Sequence, residues 1–199
     1  MTGSVQIAAT ATTKQRINDA AVELFCRQGY NATSLRQIAD GVGLQVGSLY
    51  NHISSKEELL FSIMREVMLE LIAYTEAEME AAGDDHVERL RAFLRSSVHF
   101  HATRRKQTFI GNTELRGLAA DRREEIVALR DRYEQLLIAT IESARDEGVI
   151  EVEDVQLAAY AALAMCTAVA TWFRPEGRLA LADIEQQLPR LFGPLATVS

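Results

Sequence analysis

Residues 33–56 read TSLRQIADGVGLQVGSLYNHISSK, and this stretch predicts the fold of the N-terminal part of the chain. Ser34 and Gln37 have the spacing of a capping box, in which each side chain bonds the backbone N–H of the other residue. A short helix is therefore predicted to begin at Ser34 and to extend to about Asp40. Two glycines follow within three residues, which is typical of a tight turn.

A second short helix is predicted after that turn, from Gln45 to about Ile53. Leu49 and Ile53 are four residues apart, so they share one face and are expected to be buried. Gly47 is unfavourable inside a helix by about 1 kcal/mol relative to Ala, but it permits close approach to another surface. The residues left off the core are small or polar: Gln45, Val46, Gly47, Ser48, Asn51 and His52. This arrangement is typical of a helix-turn-helix DNA reader.

The sequence on both sides of the motif extends the pattern. An apolar helix pattern ends at Gly29, and a long helix is predicted after a second capping box formed by Ser55 and Glu58. Residues 20–60, AAVELFCRQGYNATSLRQIADGVGLQVGSLYNHISSKEELL, resemble the DNA-binding domain of the TetR family of one-component repressors. The resemblance covers residues 14–60 without a gap, and it implies a regulator that binds DNA.

The resemblance also implies a role for each matching position. It gives Thr33 and Arg36 contacts to the DNA backbone or the groove edge. It places Gln45, Val46, Gly47 and Ser48 against base edges, and Tyr50, His52 and Lys56 on phosphates. The side-chain chemistry agrees, because Gln bonds adenine with two hydrogen bonds and Lys or a Tyr hydroxyl suits phosphate oxygens. Gln45 departs from the family pattern, in which a small capping residue begins the recognition helix. It therefore either caps the helix or reads a base.

The composition favours a single mainly helical chain with two parts. Only three prolines and eleven glycines interrupt 199 residues, which favours long helices over many short strands. We predict an all-α protein: residues 1–58 form an N-terminal arm and a three-helix helix-turn-helix domain, and residues 59–199 form a helical effector-binding and dimerisation domain. The arm, residues 1–13, is expected to be frayed. Helices are predicted at about 59–82, 109–118, 121–147, 154–174 and 181–192, with another around Leu90 to His101.

The charge of the chain is unusual for a DNA-binding protein. The net charge is −7 and the pI is near 5.2, yet residues 1–58 contain five basic and five acidic side chains. The remaining residues therefore carry the whole negative charge. Nonspecific DNA binding is expected to be weak and salt-sensitive, which argues against a protein that coats DNA.

The segment from Val155 to Phe173 contains no charged residue, and its length alone would suit a membrane span. Its Ala and Thr content favours instead a buried helix that packs closely against neighbours, so no membrane partner is predicted. With the last predicted helix it is expected to form a four-helix subunit interface by two-fold symmetry. The family resemblance also implies a homodimer, which would place two recognition helices on a palindromic double-stranded operator.

The C-terminal part has a narrower likeness. Residues 111–150 and 171–185 are similar to TetR-family branches that sense fatty acyl or sterol-derived acyl-CoA thioesters. The predicted effector is a small hydrophobic molecule of this class, and its release of the operator would make the protein a ligand-responsive repressor. The predicted ligand residues are aromatic, cationic or polar: Phe100, Arg104, Arg105, Phe109, Asn112, Arg116, Tyr133, Met165 and Trp172. The alternative for each aromatic residue is an ordinary place in the core.

Other chemistry is weakly represented in the sequence. Cys26 and Cys166 are expected to be buried free thiols in a reducing cytoplasm, where the protein would be located. His99 and His101 lie two residues apart and make a poor metal pair on a helix, so no metal site is predicted. No nucleophile pattern, phosphate loop or dinucleotide fingerprint occurs, so neither a cofactor nor an enzyme is predicted. An all-helical enzyme acting on a small apolar substrate and a purely structural dimer remain the alternatives.

Overall fold

The computed structural model describes residues 12–191, which form helices and turns and contain no β-strand. The predicted all-α fold is confirmed. Residues 1–11 of the predicted N-terminal arm lie outside the described residues, and Thr12 and Thr13 begin α1. The helices are α1 Thr13–Gln28, α2 Leu35–Gly41, α3 Val46–Leu49, α4 Lys56–Ala81, α5 His86–Thr103, α6 Arg105–Thr113, a 3-10 turn Leu115–Gly117, α7 Ala120–Asp146, α8 Val155–Trp172 and α9 Leu181–Gln187.

Side-chain caps define where several helices begin. The predicted capping box of Ser34 and Gln37 is present at α2. At α4 the prediction is only half right, because the Ser55 hydroxyl accepts from the Glu58 N–H but the Glu58 carboxylate accepts from Ser54 instead. Asp154 caps α8 by accepting from the N–H of Leu157, as its sequence position predicts. Capping residues in the sequence thus predict where a helix begins better than they predict which hydrogen bonds the capping side chains form.

Four predicted helix lengths were wrong. The second helix of the motif ends at Leu49 rather than Ile53, and residues 50–52 form a turn. The helix predicted at 109–118 begins earlier, at Arg105, and its last residues form the separate 3-10 turn. α8 ends at Trp172, two residues before its predicted end at 174. α9 ends at Gln187, and Phe192 lies outside the described residues.

The helices enclose two hydrophobic cores. The N-terminal core contains the buried residues of α1, α2 and α3, including Ile17, Phe25, Ile38 and Leu49. The C-terminal core lies among α4, α5, α7, α8 and α9 and includes Phe93. α4 is shared, because its first turns belong to the N-terminal core and its later turns to the C-terminal core.

The N-terminal core extends beyond residue 58. Leu59, Leu60 and Ile63 of α4 belong to it, and so do Ile110 of α6 and Ile126 of α7. Each of these side chains is at most 3% exposed. The N-terminal head, residues 12–58, is therefore packed directly against α6 and α7, and the predicted division at residue 58 stays a prediction.

The apolar helix α8 has one buried face and one exposed face. It is the one helix among the described residues that is long and apolar enough to cross a membrane, although only 33% of it is buried within the chain. Cys166 and Val169 face the core, whereas Leu157, Tyr160 and Trp172 are 66%, 48% and 46% exposed. The helix is thus buried on one face, and its outer apolar face lacks a partner within the part of the chain that the structure describes.

Candidate nucleic-acid interface and effector cleft

The short helix α3 presents the surface that the sequence predicts for DNA reading. Its buried side is Leu49, which is fully enclosed in the N-terminal core. Gln45, Gly47 and Ser48 are exposed and Val46 is half-buried. Gln45 occupies the N-cap position, but its side chain makes no capping hydrogen bond. The Gln45 side chain is therefore available to a ligand, which removes the capping role that the sequence left open.

Thr33 and Lys56 bond backbone carbonyls of the turn between α1 and α2, whereas the sequence predicts that they contact DNA. Thr33 is 2% exposed, and its hydroxyl donates to the Gly29 carbonyl at 2.9 Å. The Lys56 ammonium donates to the carbonyls of Tyr30 at 2.8 Å and Thr33 at 2.7 Å. It also lies 4.3 Å from the centre of the Tyr30 ring, a favourable cation–π distance. Both residues hold the turn between α1 and α2, so this geometry does not support their predicted direct contacts.

The other predicted phosphate and groove-edge residues are exposed. Arg36 on α2, and Tyr50 and His52 in the turn after α3, all face outward, and the Tyr50 side chain is 55% exposed. Arg36 forms no ion pair with the described residues, since its side chain is absent from every salt bridge found among them. A cation and a phenol flanking an exposed short helix can bind the phosphates on either side of a groove.

Tyr30 joins this head to the rest of the molecule. Its N–H donates to the Glu114 carboxylate at 3.4 Å, and its ring packs edge-on against Phe25. Gly117 in the 3-10 turn lies so close that a Cβ there would sit 2.9 Å from two ring carbons of Tyr30 and 3.0 Å from Leu60. The 3-10 turn is therefore in direct contact with the loop that leads into the DNA-reading helices.

The predicted ligand residues do not lie together in one site. Phe100 and Tyr133 are 5% exposed and belong to the packed C-terminal core. Arg104 pairs with Glu70 at 3.0 Å on the surface. Asn112 and Arg116 are exposed, Met165 packs against the C-terminal core, and Trp172 is largely exposed on α8.

Arg105 and Phe109 do lie together, in a surface cleft of about 520 Å³ that we call the α6 cleft. It is formed by α5, α6, the end of α8 and one residue of α1: Cys26, Ala102, Thr103, Arg105, Lys106, Gln107, Phe109, Ala170, Thr171 and Pro175. The sequence did not predict most of this set, because its members come from positions as far apart as 26, 105 and 170. The sequence signal for the α6 cleft was the closeness of two cations, Arg105 and Lys106, to Phe109 in the chain.

The α6 cleft has the chemistry to bind an anionic amphiphile. The Arg105 guanidinium donates from Nε to the Ala170 carbonyl at 3.3 Å, which leaves its other N–H groups for a ligand. Lys106 is an exposed cation that pairs with Glu23 of α1. Phe109 is 38% exposed and provides an apolar wall. Cationic groups beside apolar surface suit a ligand with a charged head and a hydrocarbon part.

A larger groove of about 800 Å³ between α1, α4 and α7 is less suited to an anion. Its two arginines are already paired, Arg65 with Glu125 and Arg122 with Glu57. Three of the residues that line it are glutamates, at 58, 66 and 70. With both arginines paired, Lys14 is the remaining cation of the lining beside these three glutamates, which disfavours an anionic ligand there.

The α6 cleft also touches the DNA-binding head. The Cys26 thiol of α1 lies at 3.3 Å from the Lys106 carbonyl, and burial raises the pKa of this thiol to about 11. Cys26 is half-buried rather than buried, and it and Cys166 are both free, as predicted. A ligand that moves Lys106 would act on α1 through both Cys26 and Glu23.

His101 is a hydrogen-bonded histidine of the C-terminal domain's interior. It is 4% exposed, and its Nδ1 lies 2.8 Å from the Ser97 carbonyl. His99 faces another direction and contacts Glu185 of α9 at 2.7 Å. Within residues 12–191 no group of three or more candidate side chains is arranged to hold a metal ion.

Two family models match the chain. Residues 17–63 match the family model described as bacterial regulatory proteins, tetR family, and residues 83–193 match the tetracyclin repressor-like C-terminal domain. The chain is 30% identical over 176 residues to the HTH-type transcriptional repressor KstR2 of Mycobacterium tuberculosis, a match that covers 85% of each protein.

Solved structures give the same result. A regulatory protein of the tetR family from Rhodococcus RHA1 has a TM-score of 0.87 at 26% identity, covering 96% of this chain and 100% of that one. The structure of AibR in complex with isovaleryl coenzyme A and operator DNA has a TM-score of 0.82 at 30% identity, covering 92% of this chain and 98% of that one.

The exposed face of α3 on a three-helix head defines a helix-turn-helix protein that binds DNA. With both family matches in place, the chain belongs to the TetR family of bacterial transcriptional regulators. The predicted family and class are confirmed, and the alternative of an all-helical enzyme is not retained.

Proposed function

We propose that this chain is a homodimeric repressor that binds a palindromic operator and is released by an acyl-CoA thioester. The observation that carries the proposal is the position of α6. Lys106 and Phe109 of this helix line the α6 cleft, while Ile110 of the same helix is fully buried in the N-terminal core. One rigid element therefore touches both the cleft and the DNA-binding head.

The proposed DNA contacts follow from exposure and chemistry. Gln45, Val46, Gly47 and Ser48 would read base edges, and Arg36, Tyr50 and His52 would bind phosphates. Thr33 and Lys56 would act indirectly by holding the turn that carries these groups. Because the head has no net charge, affinity would depend on this local set rather than on a general positive field.

The exposed face of α8 supports a two-fold dimer. Leu157, Tyr160 and Trp172 lie on it with Ala161 and Ala164 between them, and such small residues allow two helices to approach closely. Isologous packing of this face with its copy would cover the exposed apolar side chains and present two α3 helices to successive major grooves. A protein that acts on chromosomal DNA would be located in the cytoplasm.

The effector class is proposed on the chemistry of the α6 cleft. Arg105 and Lys106 suit the phosphates of coenzyme A, and the apolar wall beside them suits an acyl chain. The similarity to AibR, whose solved complex contains isovaleryl coenzyme A and operator DNA, supports this class. Release would follow if the thioester binds a conformation whose α3 helices no longer match the groove spacing.

Selection of bound sequences from random duplex DNA tests the operator part of the proposal. We expect enrichment of an inverted repeat whose half-site centres lie about one helical turn, roughly 34–36 Å, or a multiple of it apart. Enrichment of sequences without two-fold symmetry would contradict it.

Fluorescence anisotropy of the operator complex tests the effector part. Acyl-CoA of increasing chain length should release DNA at decreasing concentration, because each buried methylene contributes about 0.8 kcal/mol, whereas free CoA should act poorly. Arg105→Gln should raise the required concentration about tenfold. Arg123→Gln, which changes an exposed arginine of α7 outside the α6 cleft, is the matched control. A response that is flat with chain length would contradict the thioester class and leave the operator result intact.

A further inference from the structure

Glu57, the second residue of α4, bonds the N-terminal head to the start of α7. One of its carboxylate oxygens accepts a hydrogen bond from the Ala119 N–H at 3.1 Å, and the other accepts from the Arg122 guanidinium. Ala119 is the N-cap residue of α7 and its side chain forms no capping bond, so Glu57 supplies the negative charge that a helix start favours. Glu57 thus bonds both the backbone and a side chain of α7.

Arg122 contacts α4 at two points. Besides its bond to Glu57, its guanidinium lies 5.2 Å from the centre of the Phe61 ring, one turn further along α4. The Arg122 and Glu57 side chains are only 30% and 28% exposed, so water screens their pair less than a surface pair. Within residues 12–191 the other ion pair between the head and the later helices joins Lys106 to Glu23. Its partners are 55% and 62% exposed, so it contributes less.

The same two parts also meet through apolar side chains. Ile110 of α6 and Ile126 of α7 are fully buried in the N-terminal core. Apolar contact is non-directional, so it holds the parts together without fixing their relative rotation. A charge-assisted hydrogen bond has a defined geometry and does fix it. The bond from the Tyr30 N–H to Glu114 is long, at 3.4 Å, which leaves Glu57 as the stronger directional contact.

Glu57 also lies on a short path between the α3 surface and the exposed face of α8. The preceding residue, Lys56, bonds the Tyr30 and Thr33 carbonyls in the turn that leads into α2 and α3. At the other end of the path, α7 packs against α8, whose exposed face is the proposed dimer surface. The distance and angle between the two α3 helices of a dimer therefore depend on how Glu57 is held on α7.

We propose that Glu57 is a positioning residue that determines which half-site spacing the protein accepts. Its bonds to Ala119 and Arg122 hold the N-terminal head at one angle to α7, so the two α3 helices of the dimer reach the DNA a fixed distance apart. Without these bonds each head turns about its apolar contacts, and operators of other spacings are accepted. The inference rests on the proposed function, because it takes the two-fold dimer and the palindromic operator from it.

Operators that differ by one base pair between their half-sites test the inference. Such a change moves one half-site by about 3.4 Å and rotates it by about 35°. Fluorescence anisotropy gives the affinity of the whole chain for the inverted repeat selected from random DNA, and for the same repeat with one base pair more or one fewer. The readout is the ratio of these affinities, because a loss of active protein or a change of charge near the DNA affects all three duplexes alike.

The unaltered protein should bind the selected spacing about thirtyfold more tightly than the other two. Glu57→Ala should reduce this ratio to about threefold, mainly by weakening binding at the selected spacing, because a head that is free to turn must be ordered when it binds. Arg122→Gln changes no residue of the head and keeps the Ala119 bond, so it should reduce the ratio to about tenfold. This second variant also tests the inference if Glu57→Ala is too unstable to measure.

Glu125→Ala is the matched control. It removes an ion pair between the same two helices, in which Arg65 of α4 contacts Glu125 of α7. Arg65 lies about 12 Å further along α4 than Glu57, and both partners of this pair are about half exposed. The control should therefore keep the full ratio.

An unchanged ratio in both Glu57→Ala and Arg122→Gln would overturn the inference. An equal loss in Glu125→Ala would also overturn it, because the effect would then belong to the packing of α4 on α7 in general. An inverted repeat that the unaltered protein binds equally at all three spacings would overturn this inference alone. Failure to select any inverted repeat would overturn it together with the dimeric repressor of the proposed function.

Discussion

Lys56 holds the turn between α1 and α2, next to the residues proposed to contact DNA. Its ammonium satisfies two backbone carbonyls in the turn between α1 and α2, and it lies over the Tyr30 ring. Burial lowers the pKa of this ammonium, but the two charge-assisted bonds hold it in place. The residue therefore determines how the DNA-reading helices are presented.

The first prediction concerns this turn. Lys56→Met keeps the aliphatic stem and loses both bonds, so the free energy of unfolding should fall by about 1–2 kcal/mol. Urea denaturation measures the change, and Lys14→Met, at an exposed lysine of α1, should have almost no effect. Unchanged stability of Lys56→Met would show that the bonds do not hold the turn.

The second prediction concerns His101. Its pKa is lowered by burial from 6.5, so the folded protein keeps it neutral while the unfolded chain takes up a proton as the pH falls below that value. Its contribution to stability is complete above about pH 6.5 and decreases below it, by at most about 1.4 kcal/mol per pH unit. Melting temperatures between pH 7.5 and 5 should decrease less steeply in His101→Gln, whereas His52→Gln, at an exposed histidine, should keep the original slope.

At the scale of the elements, the sequence predicts helix existence well and helix ends less well. The capping box of Ser34 and the glycines that end α1 and α7 are local signals, and the structure agrees with them. α3 is shorter than predicted because the chain turns at residues 50–52, where the N–H groups of Asn51 and His52 bond carbonyls three residues back instead of four. Glu58 bonds Ser54 rather than Ser55, a choice between neighbours that periodicity does not reveal.

The third prediction concerns α3. A Cβ at Gly47 would meet no atom within 4 Å, so Gly47→Ala should stabilise the free protein by up to about 1 kcal/mol through helix propensity. The same methyl group would occupy the space needed by a groove wall, so operator affinity should fall at least tenfold. Gly111→Ala, also in open space but on α6, is the control for both measurements. Unimpaired operator binding by Gly47→Ala would exclude close approach at this position.

The fourth prediction concerns the contact between the 3-10 turn and the head. Gly117→Ala would place a methyl group 2.9 Å from the Tyr30 ring, so it should destabilise the protein by about 1–3 kcal/mol. Thermal unfolding of this variant beside Gly111→Ala measures the difference. Equal melting temperatures would mean that the turn moves away freely and does not fix Tyr30.

At the scale of the whole molecule, α8 has an exposed apolar face that the described residues of one chain leave uncovered. The fifth prediction is that Tyr160→Glu weakens dimerisation at least a hundredfold and lowers operator affinity with it, because the charge would be buried against its copy. Analytical ultracentrifugation and operator titration measure the two effects. Val127→Glu introduces the same charge at a 38% exposed position of α7 and should change neither. A monomeric unaltered protein that still binds a palindrome would contradict the dimer.

The candidate sites could be predicted only in part, for a physical reason. The residues proposed to contact DNA are close together in the sequence, so a local pattern can indicate them. The α6 cleft is assembled from α1, α5, α6 and α8, and the choice between core and cleft for Tyr133 or Arg104 depends on packing between distant segments. The burial of polar side chains such as Ser97 also becomes visible only once these helices are placed together.

The shared N-terminal core limits how this protein can be recombined. A head excised at residue 58 would leave behind Leu59, Leu60 and Ile63, together with Ile110 and Ile126 from the other half of the molecule. A chimeric sensor made by joining this head to the effector domain of a relative would therefore inherit mismatched side chains at the graft. Functional hybrids require that the matching faces of α4, α6 and α7 be transplanted with the head, so the two halves are constrained to diverge together.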